Sequence, residues 1–153
     1  MVHLGVDVGE KRIGIALSDD LEILASPLGL VLRKSTEQAL TEIVRLAHQH
    51  SAEVVVVGLP ASDPQRLSEQ ARRIRRFGER LRARLAIPLV FADETLSTAR
   101  AVEALRAAGV RPEKMRQRLD AAAAAIMLHD YLEGRRQATS QAPDARSPSD
   151  QDE

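Results

Sequence analysis

Carboxylates stand at three places where a folding chain seldom puts charge. Asp7 interrupts the apolar run "LGVDVGEKRIGIALSD" (Leu4–Asp19), Asp93-Glu94 closes "IPLVFADE" (Ile87–Glu94), and Asp120 opens "DAAAAAIML". An ionised carboxylate buried without a partner is costly, so something must pair with Asp7. Separated acids can share one cleft when a divalent cation neutralises them, and carboxylates suit hard Mg²⁺ or Mn²⁺. Asp7, Glu94 and Asp120 are therefore the candidate metal ligands and catalytic residues. Asp93 is expected only to begin a turn. Lys11 and Arg12 sit where two strands would turn back on each other and are placed to grip phosphates. Metals plus phosphate grips imply phosphodiester hydrolysis by an activated water. His3, His48, His50 and His129 share no motif spacing and receive no chemical role.

The surrounding pattern must bring these acids together. Val2–Val8 and Arg12–Ser18 alternate with period two, and the short link Gly9-Glu10-Lys11 predicts a hairpin. Leu21–Leu32 reads as a third strand after Asp19-Asp20, and Pro27 and Gly29 suit an edge position. Ser35 caps a helix whose apolar stripe is Leu40, Ile43, Val44 and Ala47. "EVVVVGLP" (Glu53–Pro60) is an unbroken β-branched run, as in a parallel strand covered on both sides. A helix with Leu67, Ala71, Ile74, Gly78, Leu81 and Leu85 on one face follows, then a strand over Ile87–Glu94. Ser97 or Thr98 caps a helix ending near Gly109, and Pro112 opens the last helix, expected to end near Glu133. Residues 135–153 hold no Val, Ile, Leu, Met or aromatic residue, and are expected to form a disordered polar tail behind a 1–134 domain.

The order βββαβαβαα, with right-handed crossovers, gives a five-stranded mixed sheet of order 3-2-1-4-5 flanked by helices. That α/β arrangement is ribonuclease H-like. Ligands in such open sheets lie beyond the C-terminal ends of the parallel strands, where Asp7 and Glu94 fall. The first and fifth strands are two steps apart, ~9–10 Å between Cα atoms. That separation predicts acids too distant for a direct hydrogen bond but suited to flank metal ions. Gly5, Gly9, Gly14 and Ala16 share the Asp7 face, and their small size is expected to leave room for a substrate backbone.

Composition limits the alternatives. The chain has 153 residues, consistent with one core. Aromatics make up only 2%, too few for several base-stacking platforms. No cysteine is present, so disulfides and thiolate metal sites are excluded. No apolar stretch approaches 18 residues and the N-terminus lacks a signal-peptide layout, so a soluble cytoplasmic protein without membrane contact is expected. Net charge is zero, but Arg66, Arg72, Arg73, Arg75, Arg76, Arg80, Arg82 and Arg84 face only Glu69 and Glu79 between Pro64 and Ala86. That basic element fits either a solvated helix face or a phosphate-contacting one.

Four stretches in order, "GVDVGEKRIGIALSD", "VVVVGLP", "FADETLSTARA" and "LDAAAAAIMLHDYLE", resemble the YqgF/RuvX family of pre-16S rRNA nucleases, also described as Holliday junction resolvase-like. The resemblance spans Leu4 to about Glu133. It implies a ribonuclease H-like fold, an acidic metal-dependent nuclease site and catalytic roles for Asp7, Glu94 and Asp120. It also implies a nucleic-acid partner, RNA or branched DNA, with the protein a monomer or homodimer. Two departures stand out: Thr95 where the family commonly has Arg after Asp-Glu, and an Ala61–Arg66 loop lacking a glycine.

A metal-dependent nuclease acting in 5′-end processing of pre-16S rRNA is the leading reading. A Holliday junction resolvase, or a non-catalytic nucleic-acid-binding module on the same fold, are the alternatives. The intact acids speak against a pure binder, which gains nothing from carboxylates facing phosphates. A phosphotransferase of the actin and sugar-kinase type needs two such domains around a nucleotide, and "GEKRIGIA" (Gly9–Ala16) lacks the ending of a Walker loop.

Overall fold

The computed structural model describes residues 1–60, 69–94 and 97–141. Along the chain lie β1 (His3–Val8), β2 (Arg12–Ser18), β3 (Ala25–Leu32), α1 (Thr36–Gln49), β4 (Val54–Leu59), α2 (Gln70–Arg82), β5 (Leu89–Asp93), α3 (Ser97–Ala107) and α4 (Pro112–Gln141). They form one sheet of order β3-β2-β1-β4-β5. β1 to β3 are antiparallel, and β1, β4 and β5 run parallel. This is the expected order. Val54–Val57 are all buried, as a strand covered on both faces requires.

The two sheet faces carry different cores. Leu4, Val6, Ile13, Ile15, Val55 and Val57 face α1 and α2, meeting Leu40, Ile43, Ile74, Phe77 and Leu81. The opposite face is shallower: Ala16, Val54 and Val56 meet Ala124, Ala125, Met127, Leu128 and Leu132 of α4, with α3 packed on α4. The alanines let α4 lie close, and the glycines of β1 and β2 let it lie closer still. A Cβ on Gly5 would meet the Leu128 Cβ at 3.1 Å, and one on Gly14 would stand 2.0 Å from the carbonyl oxygen of Asp120. The small-residue face is thus filled by α4 rather than left open for substrate. Gly9 answers a different need, because its Cβ would strike the Arg12 carbonyl inside the hairpin turn at 2.4 Å.

Several boundaries differ from expectation; α2 ends at Arg82, short of Leu85, and β5 spans Leu89–Asp93 within the expected 87–94. β3 begins at Ala25, because Asp19 Oδ1 accepts from the backbone N–H groups of Ile23 (2.7 Å) and Leu24 (3.1 Å) and closes a turn through Glu22 at φ +60°. α3 begins at Ser97 itself. α4 runs to Gln141, so residues 135–141 of the expected tail are helical. Arg135 pins that extension. Its Nη1 lies 3.0 Å from His3 Nε2, and its guanidinium sits 5.9 Å from the Tyr131 ring centre. His3 is fully buried, with Nδ1 3.1 Å from the Met1 carbonyl. Nδ1 must donate to that carbonyl, which leaves Nε2 to accept from arginine and fixes a neutral imidazole. Arg66, Leu67, Thr95, the Ala61–Arg66 loop and residues 142–153 lie outside the described residues.

Gly14 tests the packing. Its missing Cβ faces backbone rather than a flexible side chain, so α4 itself must move to admit one. Gly14→Ala is expected to cost about 3 kcal/mol, a fall of very roughly 6–12 °C in melting temperature. Gly134→Ala, inside α4 where a Cβ meets nothing within 4 Å, is expected to raise the melting temperature by about 1–4 °C through helix propensity.

Candidate active site at the ends of the parallel strands

Asp7 occupies the penultimate position of β1 and is flanked by glycines on both neighbouring strands. In the antiparallel register it faces Gly14 of β2. In the parallel register Val6 pairs with Val57, so Gly58 of β4 comes next to Asp7. Each glycine seats a second acid. The Asp120 backbone rests on Gly14, and the Glu94 carboxylate rests on Gly58, where a Cβ would come within 2.4 Å of Glu94 Oε2. Glu94 lies one residue beyond β5, and its backbone N–H still donates to the Leu59 carbonyl at 3.3 Å. The side chain is thereby aimed back across β4.

This geometry corrects one expectation. The Asp7 and Glu94 carboxyls are hydrogen-bonded directly, although their strands are two steps apart. The glutamate is long enough to span β4, and Gly58 removes the only side chain in its path. Two carboxylates cannot share a hydrogen bond unless one is protonated. Burial, the hydrogen bond to Asp7 and the charges of Asp7 and Asp93 push Glu94 up to about 9. Asp7 is also raised, first by burial and then by the charge of Asp120, while accepting Glu94's proton pulls it back. Glu94 is therefore the donor and Asp7 the acceptor.

Asp120 finds a different partner. Its Oδ2 lies 3.0 Å from Arg12 Nε. This is an ion pair without hydrogen-bond alignment, and Oδ2 is buried with no other protein partner. Arg12, expected to grip phosphate, is thus turned toward an acid, though its side chain remains 40% exposed. Lys11 is exposed at the hairpin tip, as expected. Asp93 ends β5 on the surface, paired in register with Leu59, and acts on the site through its charge on Glu94.

The three predicted acids therefore converge on the ends of β1, β4 and β5. They do not form a finished cage: among the described residues no three acidic or imidazole groups are arranged to hold a metal ion. The donor set nevertheless fits a hard divalent cation. Asp120 Oδ2 is a buried acceptor lacking an aligned donor, and Asp7 and Glu94 are kept together by a proton that a cation can replace. Sequence reasoning missed Gly58. The signal was the glycine ending a run of four valines, where a strand otherwise built from β-branched residues gives up its side chain.

The basic element is largely spent within the molecule. Arg73 pairs with Glu10 at 3.2 Å, Arg80 and Arg84 both clasp Glu37, and Arg82 pairs with Glu79. Arg75 and Arg82 lie over the Phe91 ring at 5.3 and 5.7 Å.

Two tests follow from the carboxyl pair. In metal-free protein the folded state holds a proton on Glu94 that the unfolded chain loses near its ordinary value of 4.5. Stability is then highest below that value and falls as pH rises through it toward about 9. Melting temperature in EDTA is expected to drop by several degrees between pH 5 and pH 9, and Glu94→Gln, which keeps a donor without a titratable proton, is expected to flatten that slope. Gly58→Ala displaces a flexible carboxylate rather than backbone, so it is expected to cost about 1 kcal/mol or less in stability while weakening Mn²⁺ affinity about tenfold or more in calorimetric titration.

The chain is similar to known proteins along most of its length. The family model "RuvX: Holliday junction resolvase" matches residues 1–134. A Chloroflexus aggregans protein named "Putative pre-16S rRNA nuclease" is 41% identical over 133 residues, covering 87% of this chain and 94% of its own. A Syntrophus aciditrophicus protein of the same name is 41% identical over 130 residues, covering 85% of this chain and 87% of its own. Among solved structures, T. thermophilus RuvC in complex with a Holliday junction substrate superposes with a TM-score of 0.56 at 18% identity, covering 89% of this chain and 96% of that one. The fowlpox virus resolvase with its junction DNA gives a TM-score of 0.56 at 13% identity, covering 88% and 98%. These structures share the ribonuclease H-like fold. A family model matched over residues 1–134 and relatives 41% identical over most of the chain lead to one assignment: the chain belongs to the RuvX family.

Proposed function

We propose that this protein is a divalent-metal-dependent nuclease that hydrolyses phosphodiester bonds in nucleic acid, with 5′-end processing of pre-16S rRNA in the cytoplasm as its task. The observation that carries this reading is the seating of Glu94 and Asp120 on the two glycines beside Asp7. A sheet has no structural need for three acids at one point, and their mutual repulsion opposes folding unless a proton or cation intervenes. The names of the relatives support the rRNA substrate.

Asp7, Glu94 and Asp120 would hold Mg²⁺ or Mn²⁺, which when bound supplies Lewis acidity toward the phosphate and a water of lowered pKa. Asp7 is central, touching Glu94 and within reach of the Asp120 charge. Glu94 must surrender its proton to become a ligand, and Asp7 is the adjacent group that can pass it to solvent. Arg12 holds Asp120 beside the sheet until the site fills, and is then free to turn its exposed guanidinium to a phosphate oxygen. Lys11 offers a second cation at the same tip. Hydrolysis adds water across the phosphodiester, forming a phosphomonoester on one fragment and a hydroxyl on the other.

Asp7→Asn keeps the shape and the hydrogen bond to Glu94 but removes the central charge. Cleavage of a pre-16S rRNA 5′ segment in Mn²⁺ is expected to fall on the order of 10³-fold, about 4 kcal/mol of transition-state stabilisation, with folding intact. A variant as fast as wild type would refute the mechanism. Parallel assays on junction DNA decide the substrate: faster cutting of the four-way junction than of the precursor would replace rRNA processing with resolution.

A further inference from the structure

We infer that the corner between α3 and α4 is a docking site for the sugar–phosphate backbone of the substrate on the side of α4 away from the catalytic acids. The inference rests on the proposed nuclease reading and adds to it where flanking phosphates are held. From Arg106 to Arg118 the chain carries Arg106, Arg111, Lys114, Arg116 and Arg118 against the single acid Glu113. Arg73, Arg80 and Arg82 of α2 are ion-paired, whereas none of these five cations forms an ion pair among the described residues. Arg111, Lys114, Arg116 and Arg118 are all exposed. Equal numbers of each charge in the whole protein therefore conceal an unequal surface: half of the α2 arginines are paired with acids and none of the cations of this corner is.

The corner also has shape. Residues Ala108, Gly109, Val110, Arg111, Lys114 and Arg118 line a concavity of about 310 Å³ with three cations and no carboxylate. α3 ends there through Gly109 at φ +80°, with Val110 N–H reaching back to the Leu105 carbonyl at 3.0 Å. This closure turns the chain sharply and presents Arg111 across from Lys114 and Arg118. Residues spaced by four share one helix face, so Lys114 and Arg118 of α4 converge on the concavity.

Its position fixes which phosphates it takes. Arg118 precedes Asp120 by two residues, about 200° around the helix, so the two side chains point to opposite sides of α4. A helix with its side chains is about 10–12 Å thick, so a phosphate in the corner is not the scissile one. The bound strand must cross the exposed first two turns of α4 to reach both places. At about 3.4 Å per stacked nucleotide this spans at least three nucleotides, so the corner reads length and path rather than base identity. RNA and DNA present the same phosphates to it.

Equilibrium binding of labelled 30-nucleotide RNA and DNA in EDTA, where nothing is cut, tests this across a salt series. The triple variant Arg111→Ala, Lys114→Ala, Arg118→Ala is expected to bind at least tenfold more weakly at 100 mM salt, with a log–log salt slope shallower by about 2–3. On cleavable substrate its KM is expected to rise with kcat held within about twofold, and a dinucleotide too short to reach the corner is expected to show no change. A matched control, Arg73→Ala, Arg80→Ala, Arg84→Ala, removes the same net charge from paired positions and is expected to leave the slope within about one of wild type. An unchanged slope in the corner variant, or an equal loss in the control, overturns the inference and leaves the nuclease reading standing. Absence of nucleic-acid binding by the wild-type protein overturns both. Restoring charge with Arg111→Lys and Arg118→Lys is expected to preserve the slope, and its loss there would show that the effect is not electrostatic.

Discussion

Like-charge repulsion among three buried or half-buried carboxylates is the constraint around which this end of the molecule is built. Asp7, Glu94 and Asp120 come from three separate elements, and burial together with neighbouring carboxylates raises the energy of ionising Asp7 and Glu94. The fold answers with two devices. A proton bridges Glu94 and Asp7, and the guanidinium of Arg12 offsets Asp120. Both are exchangeable: a cation can displace the proton, and an arginine that is 40% exposed can leave its acid. In the proposed reading this is a neutralised site whose acids become available together when a divalent ion arrives.

Sterics allow that repulsive arrangement to exist. Gly14 and Gly58 give up their side chains on either side of Asp7, one to a helix backbone and the other to a carboxylate. The difference between these neighbours separates stability from function. Gly14 is a packing contact, since α4 can cover the shallow face only if its backbone touches β2. Gly58 clears the path along which the glutamate just beyond β5 reaches β1. The alanine-rich segment of α4 extends the same logic, trading side-chain volume for closeness so that Asp120 stands over the strand ends.

Much of this was legible in the sequence. The alternation in β1 and β2, the valine run of β4 and the crossover rule fix the sheet order, because each depends on local periodicity and the handedness of connections. The three acids are legible because charge inside an apolar pattern is conspicuous. What the sequence conceals is pairing. The Asp7–Glu94 hydrogen bond depends on how far one side chain reaches across a strand that has none, which Cα separations cannot convey. The helical continuation to Gln141 depends on Arg135 meeting His3, residues at opposite ends of the chain. The charge count on α2 misleads for the same reason: Glu10 and Glu37, remote in sequence, cancel Arg73, Arg80 and Arg84.

The central claim is that the three acids are ligands neutralised by a proton and an arginine until a cation replaces them. Anomalous diffraction from crystals soaked in Mn²⁺ examines it without any assay of activity. The account predicts a peak bonded to Asp7 at about 2.1–2.2 Å, with Glu94 and Asp120 turned toward the same metal centre and the Asp7–Glu94 hydrogen bond gone. Manganese bound elsewhere, with that hydrogen bond and the Arg12–Asp120 pair undisturbed, would contradict it.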